Sequence, residues 1–121
     1  MYGTEASPYR VQYCRQRGLH VIECPVDHVE PMQSLAPFDV VYSTHVLEHV
    51  SDPAAHVIQL TGLVRDGGYL CFQVPHVTLG EFLFMQAHYA GHCHSFSPRS
   101  LGLLAVQAGL TPIRIDVDDD I

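Results

Sequence analysis

The sequence has 121 residues, of which 47% are hydrophobic and 16% are charged, a composition typical of one globular domain over 1–121 rather than of a disordered chain. The formal net charge is −7 and the only cations are six arginines scattered from Arg10 to Arg114, so no basic stripe is available to bind nucleic acid. No apolar run approaches the ~20 residues of a membrane span and no basic-then-apolar leader opens the chain, which predicts a cytoplasmic protein with no membrane partner.

The first half of the chain alternates short strands with helices. A strand is predicted from residue 1 in "MYGTEAS", and a helix follows it, with Ser7-Pro8 as N-cap and first-turn proline and Gly18 as the left-handed C-cap. "LHVIE" predicts the second strand, and the proline-punctuated connection after it has room for at most one helical turn. "FDVVYS" is apolar on consecutive positions, a pattern typical of a strand buried on both faces.

The same alternation continues after this strand. A short turn of helix is predicted in "THVLEHV", and Asp52-Pro53 then begins the helix "AAHVIQLTGLV". The tight turn "RDGG" leads into the apolar strand "YLCFQVP". Helices and strands of this kind alternate when a parallel sheet is covered by helices.

The last third of the chain contains a long connection. Residues 76–97 are rich in aromatic side chains and histidines, and they predict a lid or binding loop with a short helix around 80–88. Ser97-Pro98 begins the last helix, which Gly109 ends, and "TPIRIDV" predicts the final strand.

These elements predict an α/β fold with a mostly parallel sheet and helices on both faces. In such sheets ligands bind beyond the carboxyl ends of the strands. The candidate site residues are therefore Glu5, the stretch Ser43 to His49, and the segment from Pro75 onward.

Two patterns of histidines allow metal binding. His45, Glu48 and His49 follow the His-x-x-Glu-His order of inverted zincins, in which two histidines hold zinc beside a glutamate base. A zinc hydrolase would also need a third protein ligand and a substrate cleft. The second pattern predicts a separate, non-catalytic cluster of N and S ligands suited to zinc, nickel or copper, formed by His88, His92, Cys93 and His94. A His-rich zinc-binding protein or hydrolase therefore stays open as an alternative function.

Nearly the whole chain resembles the class I S-adenosylmethionine-dependent methyltransferases, and most closely the small-molecule O- and C-methyltransferases of ubiquinone-biosynthesis type. The resemblance rests on four blocks in the family's order: "YGTEASPYRVQYCRQRGL", "FDVVYSTHVLEHVSDP", "VRDGGYLCFQVPH" and "HCHSFSPRSLGLLAVQAGL". It implies a Rossmann-like fold, S-adenosylmethionine as cofactor and a small-molecule methyl acceptor.

The resemblance also implies roles for individual residues. Glu5 would hold the ribose hydroxyls of the cofactor, because a carboxylate accepts two hydrogen bonds from a vicinal diol. Ser43, Thr44 and His45 would line the pocket beneath the methionyl part, and Asp27 is the carboxylate nearest the position that holds adenine. Histidine is the natural base near neutral pH. The predicted catalytic residues are His49, His94 and His45, with the acceptor pocket formed by Phe82, Phe84, Tyr89 and Phe96.

The sequence departs from the family pattern at both ends. The family's first strand and glycine-rich loop would precede Met1, and the hairpin that closes the sheet has only its first strand here. We therefore expect a partial domain, truncated at the N-terminus and at the C-terminal hairpin. Because unpaired buried strand edges are costly, residues 1–5 are predicted to pair directly with 38–43. A second copy, as a homodimer, or a partner chain would complete the sheet. An inactive methyltransferase-like remnant, or a subunit with a structural role, is the alternative.

Overall fold

The computed structural model describes residues 1–76, Gly80 and residues 91–117. Within these ranges strands and helices alternate, and the elements in chain order are β1 (Tyr2–Glu5), α1 (Pro8–Gln16), β2 (His20–Glu23), α2 (Glu30–Gln33), β3 (Phe38–Thr44), α3 (Pro53–Thr61), β4 (Val64–Gln73) and α4 (Pro98–Gln107). Among the helices described, none is both long and apolar enough to cross a membrane.

The helices begin where the sequence predicts. The Asp52 side chain accepts a hydrogen bond from the Ala55 amide at 3.0 Å at the start of α3. Ser97 and Ser100 form a reciprocal capping box at the start of α4. Ser7 occupies the N-cap position of α1, but its hydroxyl makes no capping bond. The three proline-started helices are therefore confirmed, with two of the three caps made by side chains.

The strands form two parallel pairs. β1 pairs with β2 from Tyr2↔His20 to Glu5↔Glu23, and β3 pairs with β4 up to Thr44↔Gln73. The parallel α/β architecture is thus confirmed. The predicted direct pairing of 1–5 with 38–43 is wrong, because within the described residues the strands belong to two separate two-stranded sheets.

Side chains, rather than a shared backbone ladder, join the two sheets. Val29, Met32, Leu60 and Leu63 form one buried cluster, on which partly buried side chains from β2, β3 and β4 pack. The rings of Tyr2 and Phe38 also approach, with centroids 6.5 Å apart. Burial of apolar surface therefore holds β1–β2 against β3–β4 without strand pairing between them.

A second buried cluster holds the connection that follows β3. It contains Leu47, Val50, Val57 and Phe96, all at most 9% exposed. Leu47 and Val50 belong to this connection, Val57 to α3, and Phe96 to the segment before α4. The cluster therefore fixes the connection between β3 and α3 against the end of the chain.

One face of the β3–β4 pair is open to solvent. Val40, Tyr42 and Tyr69 are 54%, 61% and 56% exposed. Val40 is opposite Tyr69 in the parallel register, and successive strand residues point to opposite faces. The prediction that this strand is buried on both faces is therefore wrong for the described residues, because consecutive apolar letters do not reveal which face is covered.

Three local predictions also differ from the structure. Residues 46–49 form a turn closed by His49 N donating to Val46 O at 2.9 Å, and not a helical turn. The predicted "RDGG" turn lies inside β4 as an irregularity in its pairing with β3. Residues 111–117 form no strand in the described part, and Ile113 is 79% exposed. The predicted lid and short helix of 76–97 lie largely outside the described residues.

Gly68 lies where β4 passes close to β3. A Cβ at this position would lie 2.7 Å from Val64 Cγ1 and 2.8 Å from the Asp39 carbonyl oxygen. We expect Gly68→Ala to lower the free energy of unfolding by about 1–3 kcal/mol, as overpacking does. Urea denaturation measures this change. Gly3→Ala is the control, since a Cβ there meets nothing within 4 Å. Equal stability of the two variants would contradict the close approach.

Candidate active site

Glu5 ends β1 at the edge of the sheet where ligands are expected. Its Oε1 accepts a hydrogen bond from Ser7 N at 2.8 Å. Its Oε2 lies 3.8 Å from Arg10 Nη1, and the Glu5 side chain is 28% exposed. The carboxylate is therefore oriented by the β1–α1 loop and keeps one oxygen accessible for a further hydrogen bond.

The end of β3 is fixed by the amide side chain of Gln73 on β4. Tyr42 Oη and Thr44 Oγ1 both donate to Gln73 Oε1, at 2.6 and 3.0 Å. Ser43, between them, is buried at 8% exposure. The predicted residues Ser43 and Thr44 thus lie side by side at a rigid strand end, one facing inward and one facing solvent.

His45 makes the turn out of β3 in an unusual backbone conformation. Its φ is +52°, the left-handed region that residues with a Cβ seldom adopt. Its amide still donates to the Gln73 carbonyl oxygen at 2.9 Å, so the strand ladder holds the residue in place. Non-glycine residues in this region cost of order 1–3 kcal/mol and cluster at functional sites. The chain reverses here and returns Glu48 to His45.

Glu48 is the most unusual group of the site. The residue is 1% exposed, and neither carboxylate oxygen accepts a hydrogen bond from any residue that the structure describes. Oε1 lies 3.3 Å from His45 Nδ1 and 3.8 Å from His49 Nε2. A buried carboxylate is stable only when it is paired or binds a cation, so these imidazoles are its immediate electrostatic environment.

The segment 91–94 is attached to this turn by backbone hydrogen bonds. The Glu48 carbonyl oxygen accepts from Cys93 N at 2.8 Å and from His94 N at 3.2 Å. His49 Nδ1 lies 2.7 Å from the Gly91 carbonyl oxygen. These contacts place the His92 ring against the His49 ring, edge to face, with centroids 4.8 Å apart.

The structure brings several of the predicted residues together. His45 and His49 flank Glu48, and His94 follows in the attached segment, with its ring 6.4 Å from that of the buried Phe96. Glu48 was not among the predicted catalytic or cofactor-binding residues, although the His-x-x-Glu-His pattern had marked it in the zinc alternative. His88, Phe82, Phe84 and Tyr89 lie outside the described residues.

The second predicted metal cluster is not assembled as proposed. Among the described residues, the group whose possible ligand atoms lie within 4.8 Å of one another is Glu48, His49 and His92. Cys93 and His94 are not members of that group, because their backbone amides face the turn while the His92 ring reaches it. Of the four predicted ligands, His92 therefore lies in this group, together with Glu48 and His49 instead of Cys93 and His94.

Comparison with known proteins shows the family. A family model described as a methyltransferase domain matches residues 1–115. The chain belongs to the class I S-adenosylmethionine-dependent methyltransferases. The Glu5 strand end and the β3 exit are therefore parts of a methyltransferase domain, in the order that the sequence predicts.

One relative is named a methyltransferase and another a carboxymethyltransferase, and both are longer than this chain. The chain is 31% identical over 99 residues to a ubiquinone biosynthesis O-methyltransferase of Bordetella avium, covering 73% of this chain and 41% of that protein. It is 39% identical over 62 residues to a tRNA U34 carboxymethyltransferase of a Geobacter species, covering 51% of this chain and 19% of that protein. The chain thus spans less than half of the length of each relative.

Asp27, predicted near the adenine position, lies beside the start of α3. It lines a cavity of about 240 Å³ together with Asp52, His56 and other polar side chains. A larger cavity of about 460 Å³ lies beside Tyr2 and His20, at the opposite end of β1 and β2 from Glu5. The larger cavity therefore does not lie at the carboxyl ends of the strands, where ligands of this fold are expected.

His56 is a buried histidine with a perturbed pKa. Burial lowers the pKa of His56 below its usual 6.5, and the Asp27 carboxylate and backbone oxygen partly oppose this effect. Its Nδ1 has no hydrogen-bond partner among the described residues. Burial therefore favours the neutral form of the imidazole in the folded methyltransferase domain.

This burial predicts a dependence of stability on pH. Because the folded pKa lies below the unfolded one, the unfolded chain binds more protons between them, and stability is lost as the pH falls through about 6.5. We expect His56→Gln to reduce the loss of unfolding free energy between pH 8 and pH 5.5, measured by urea denaturation. His20→Gln is the control for titration of a surface histidine, since His20 is exposed at the start of β2. The same pH dependence in His56→Gln and the unaltered chain would contradict the assignment.

Proposed function

We propose that this chain forms part of an S-adenosylmethionine-dependent methyltransferase that acts on a small molecule. The observation that carries the proposal is the oriented, accessible carboxylate of Glu5 at the carboxyl end of β1, in a chain of this family. The small-molecule acceptor is favoured because the net charge of −7 and the six scattered arginines provide little attraction for RNA.

The residues at the strand ends fit the cofactor. One oxygen of Glu5 is held by Ser7 N, and the other has only a long contact with Arg10, so it can accept from a ribose hydroxyl. Ser43 and Thr44 present backbone and hydroxyl groups at the carboxyl end of β3. When bound, the cofactor supplies a methyl group on a sulfonium, which is open to in-line displacement. Asp27, beside the start of α3, is proposed as the carboxylate nearest the adenine.

Histidines near the exit of β3 are proposed to take the proton of the methyl acceptor. His45 Nδ1 lies 3.3 Å from Glu48 Oε1, and the His45 side chain is 54% exposed. An imidazole beside a carboxylate is a common arrangement for a general base. His49 and His94 lie on the same turn and its attached segment, so all three predicted bases border one region.

The cofactor assignment is tested by calorimetric titration with S-adenosylmethionine and S-adenosylhomocysteine. We expect Glu5→Gln to weaken binding by about 10- to 100-fold, because hydrogen bonds to a charged acceptor contribute roughly 1.5–3 kcal/mol. Glu23→Gln is the matched control, since Glu23 is the exposed in-register partner of Glu5 at the end of β2. No binding by the unaltered chain, or equal loss in both variants, would contradict the proposal.

We also propose that a second copy of the chain completes the fold as a homodimer. Within the described residues the sheet remains divided in two, and Val40, Tyr42 and Tyr69 expose an apolar face on β3–β4. Exposed apolar faces and unpaired strand edges are the features through which chains associate. Association through this face would remove the tyrosine rings from water.

Light scattering over a micromolar concentration series tests the dimer. We expect a dimer that Tyr69→Ser weakens by about 10-fold or more, because large buried aromatics dominate interface energies. Tyr9→Ser is the control, since Tyr9 is 77% exposed on α1, away from this face. A monomer throughout the series would contradict the proposal, and so would a dimer that Tyr69→Ser leaves unchanged.

A further inference from the structure

The Glu48 carboxylate lies in a place that demands a positive charge. The residue is 1% exposed and both of its oxygens lack a hydrogen-bond donor among the described residues. Its Oε1 lies 3.3 Å from His45 Nδ1 and 3.8 Å from His49 Nε2. A buried carboxylate surrounded by imidazoles is satisfied either by protonated histidines or by a bound cation.

The orientation of His49 suits metal binding. Its Nδ1 lies 2.7 Å from the Gly91 carbonyl oxygen. A carbonyl oxygen only accepts, so Nδ1 carries a hydrogen and Nε2 is the ring nitrogen left for a metal ion. That nitrogen is the one facing Glu48. Histidines that bind metals usually donate their other N–H to a carbonyl or carboxylate in this way.

His92 is delivered to the same place by a different part of the chain. The Glu48 carbonyl oxygen accepts from Cys93 N and His94 N, which holds the segment containing His92 against the turn. The ring of His92 meets that of His49 at a centroid distance of 4.8 Å. The possible ligand atoms of Glu48, His49 and His92 all lie within 4.8 Å of one another.

We propose that Glu48, His49 and His92 bind one divalent transition-metal ion, with zinc as the best match. Two imidazoles and one carboxylate are a ligand set that zinc uses in catalytic sites, where a fourth position stays open. Zinc bonds to these atoms are about 2.0–2.2 Å long. Side-chain rotations at the three residues would bring their ligand atoms, now within 4.8 Å of one another, to these distances from one ion.

Zinc binding goes beyond methyl transfer and does not depend on it. The ion would occupy the edge of the methyltransferase site, and its open position is suited to an oxygen or nitrogen of a small molecule. The ligand set joins the turn after β3 to the segment before α4, which the sequence separates by more than forty residues. Metal binding is measured without cofactor or acceptor, so its failure and failure of the methyltransferase proposal are separate results.

The test is metal titration of the purified, chelator-treated chain. We expect one equivalent of Co²⁺ to give the intense visible absorption of a four-coordinate site, and one equivalent of Zn²⁺ to displace it. His92→Gln and His49→Gln should each weaken Zn²⁺ binding by about 100-fold or more, since loss of even an outer-shell partner costs 10–100-fold. Glu48→Gln should do the same and keeps the side-chain shape.

His94→Gln is the matched control, because it removes a histidine two positions from His92 in the same segment. We expect it to leave the Zn²⁺ affinity unchanged. Circular dichroism confirms that each variant is folded, and if Glu48→Gln does not fold, His92→Gln and His49→Gln carry the test. The proposal is overturned if no stoichiometric metal binds. It is also overturned if His92→Gln and His49→Gln bind Zn²⁺ as tightly as the unaltered chain, or if His94→Gln weakens binding equally.

Discussion

The backbone carbonyl of Glu48 is the point on which the site depends. It accepts hydrogen bonds from Cys93 N and His94 N, and so joins the turn after β3 to the segment before α4. Leu47 and Val50 on either side of Glu48 are each 1% exposed, and with Phe96 they form the apolar cluster beneath this junction. Hydrogen bonds and burial together fix two segments that are distant in the sequence.

Two energetically unfavourable features occur at this junction. His45 has a positive φ, and the Glu48 carboxylate is buried without a hydrogen-bond donor among the described residues. Each feature costs stability, and each persists only because the surrounding packing leaves the chain no alternative. Such conflicts between local preference and fold are expected at functional sites. Their coincidence within four residues is the reason why we propose a binding role for this turn.

The division of the sheet has a different physical basis. The two parallel pairs share an apolar cluster built on α2, α3 and the strands, so burial alone holds them together. Among the described residues, backbone pairing runs only within each pair and leaves one edge of every strand unpaired, and the outward face of β3–β4 keeps its tyrosines in solvent. Glu5 and the β3 exit therefore belong to different sheets. A ligand that contacts both strand ends would bridge the two sheets. Packed side chains, rather than backbone hydrogen bonds between the sheets, hold these sheets in place.

The sequence by itself determined where the three proline-started helices begin. Asp52-Pro53 and Ser97-Pro98 start helices because their side chains cap free amides, and Gly18 and Gly109 end helices because glycine adopts positive φ without strain. The family blocks also placed Glu5 and Ser43 at strand ends. These features depend on interactions between near neighbours, which the order of residues specifies directly.

Only the tertiary structure decided how distant parts combine. The His-x-x-Glu-His order is typical of a metal-binding helix. In the structure the positive φ of His45 and the burial of Leu47 instead give a chain reversal in which Glu48 is buried. His92, rather than His94 or Cys93, reaches that carboxylate because two backbone amides set the path of its segment. Tertiary packing likewise decided that, among the described strands, β1 pairs with β2 and not with β3. Such contacts join residues far apart in the chain, and no local pattern of letters encodes their geometry.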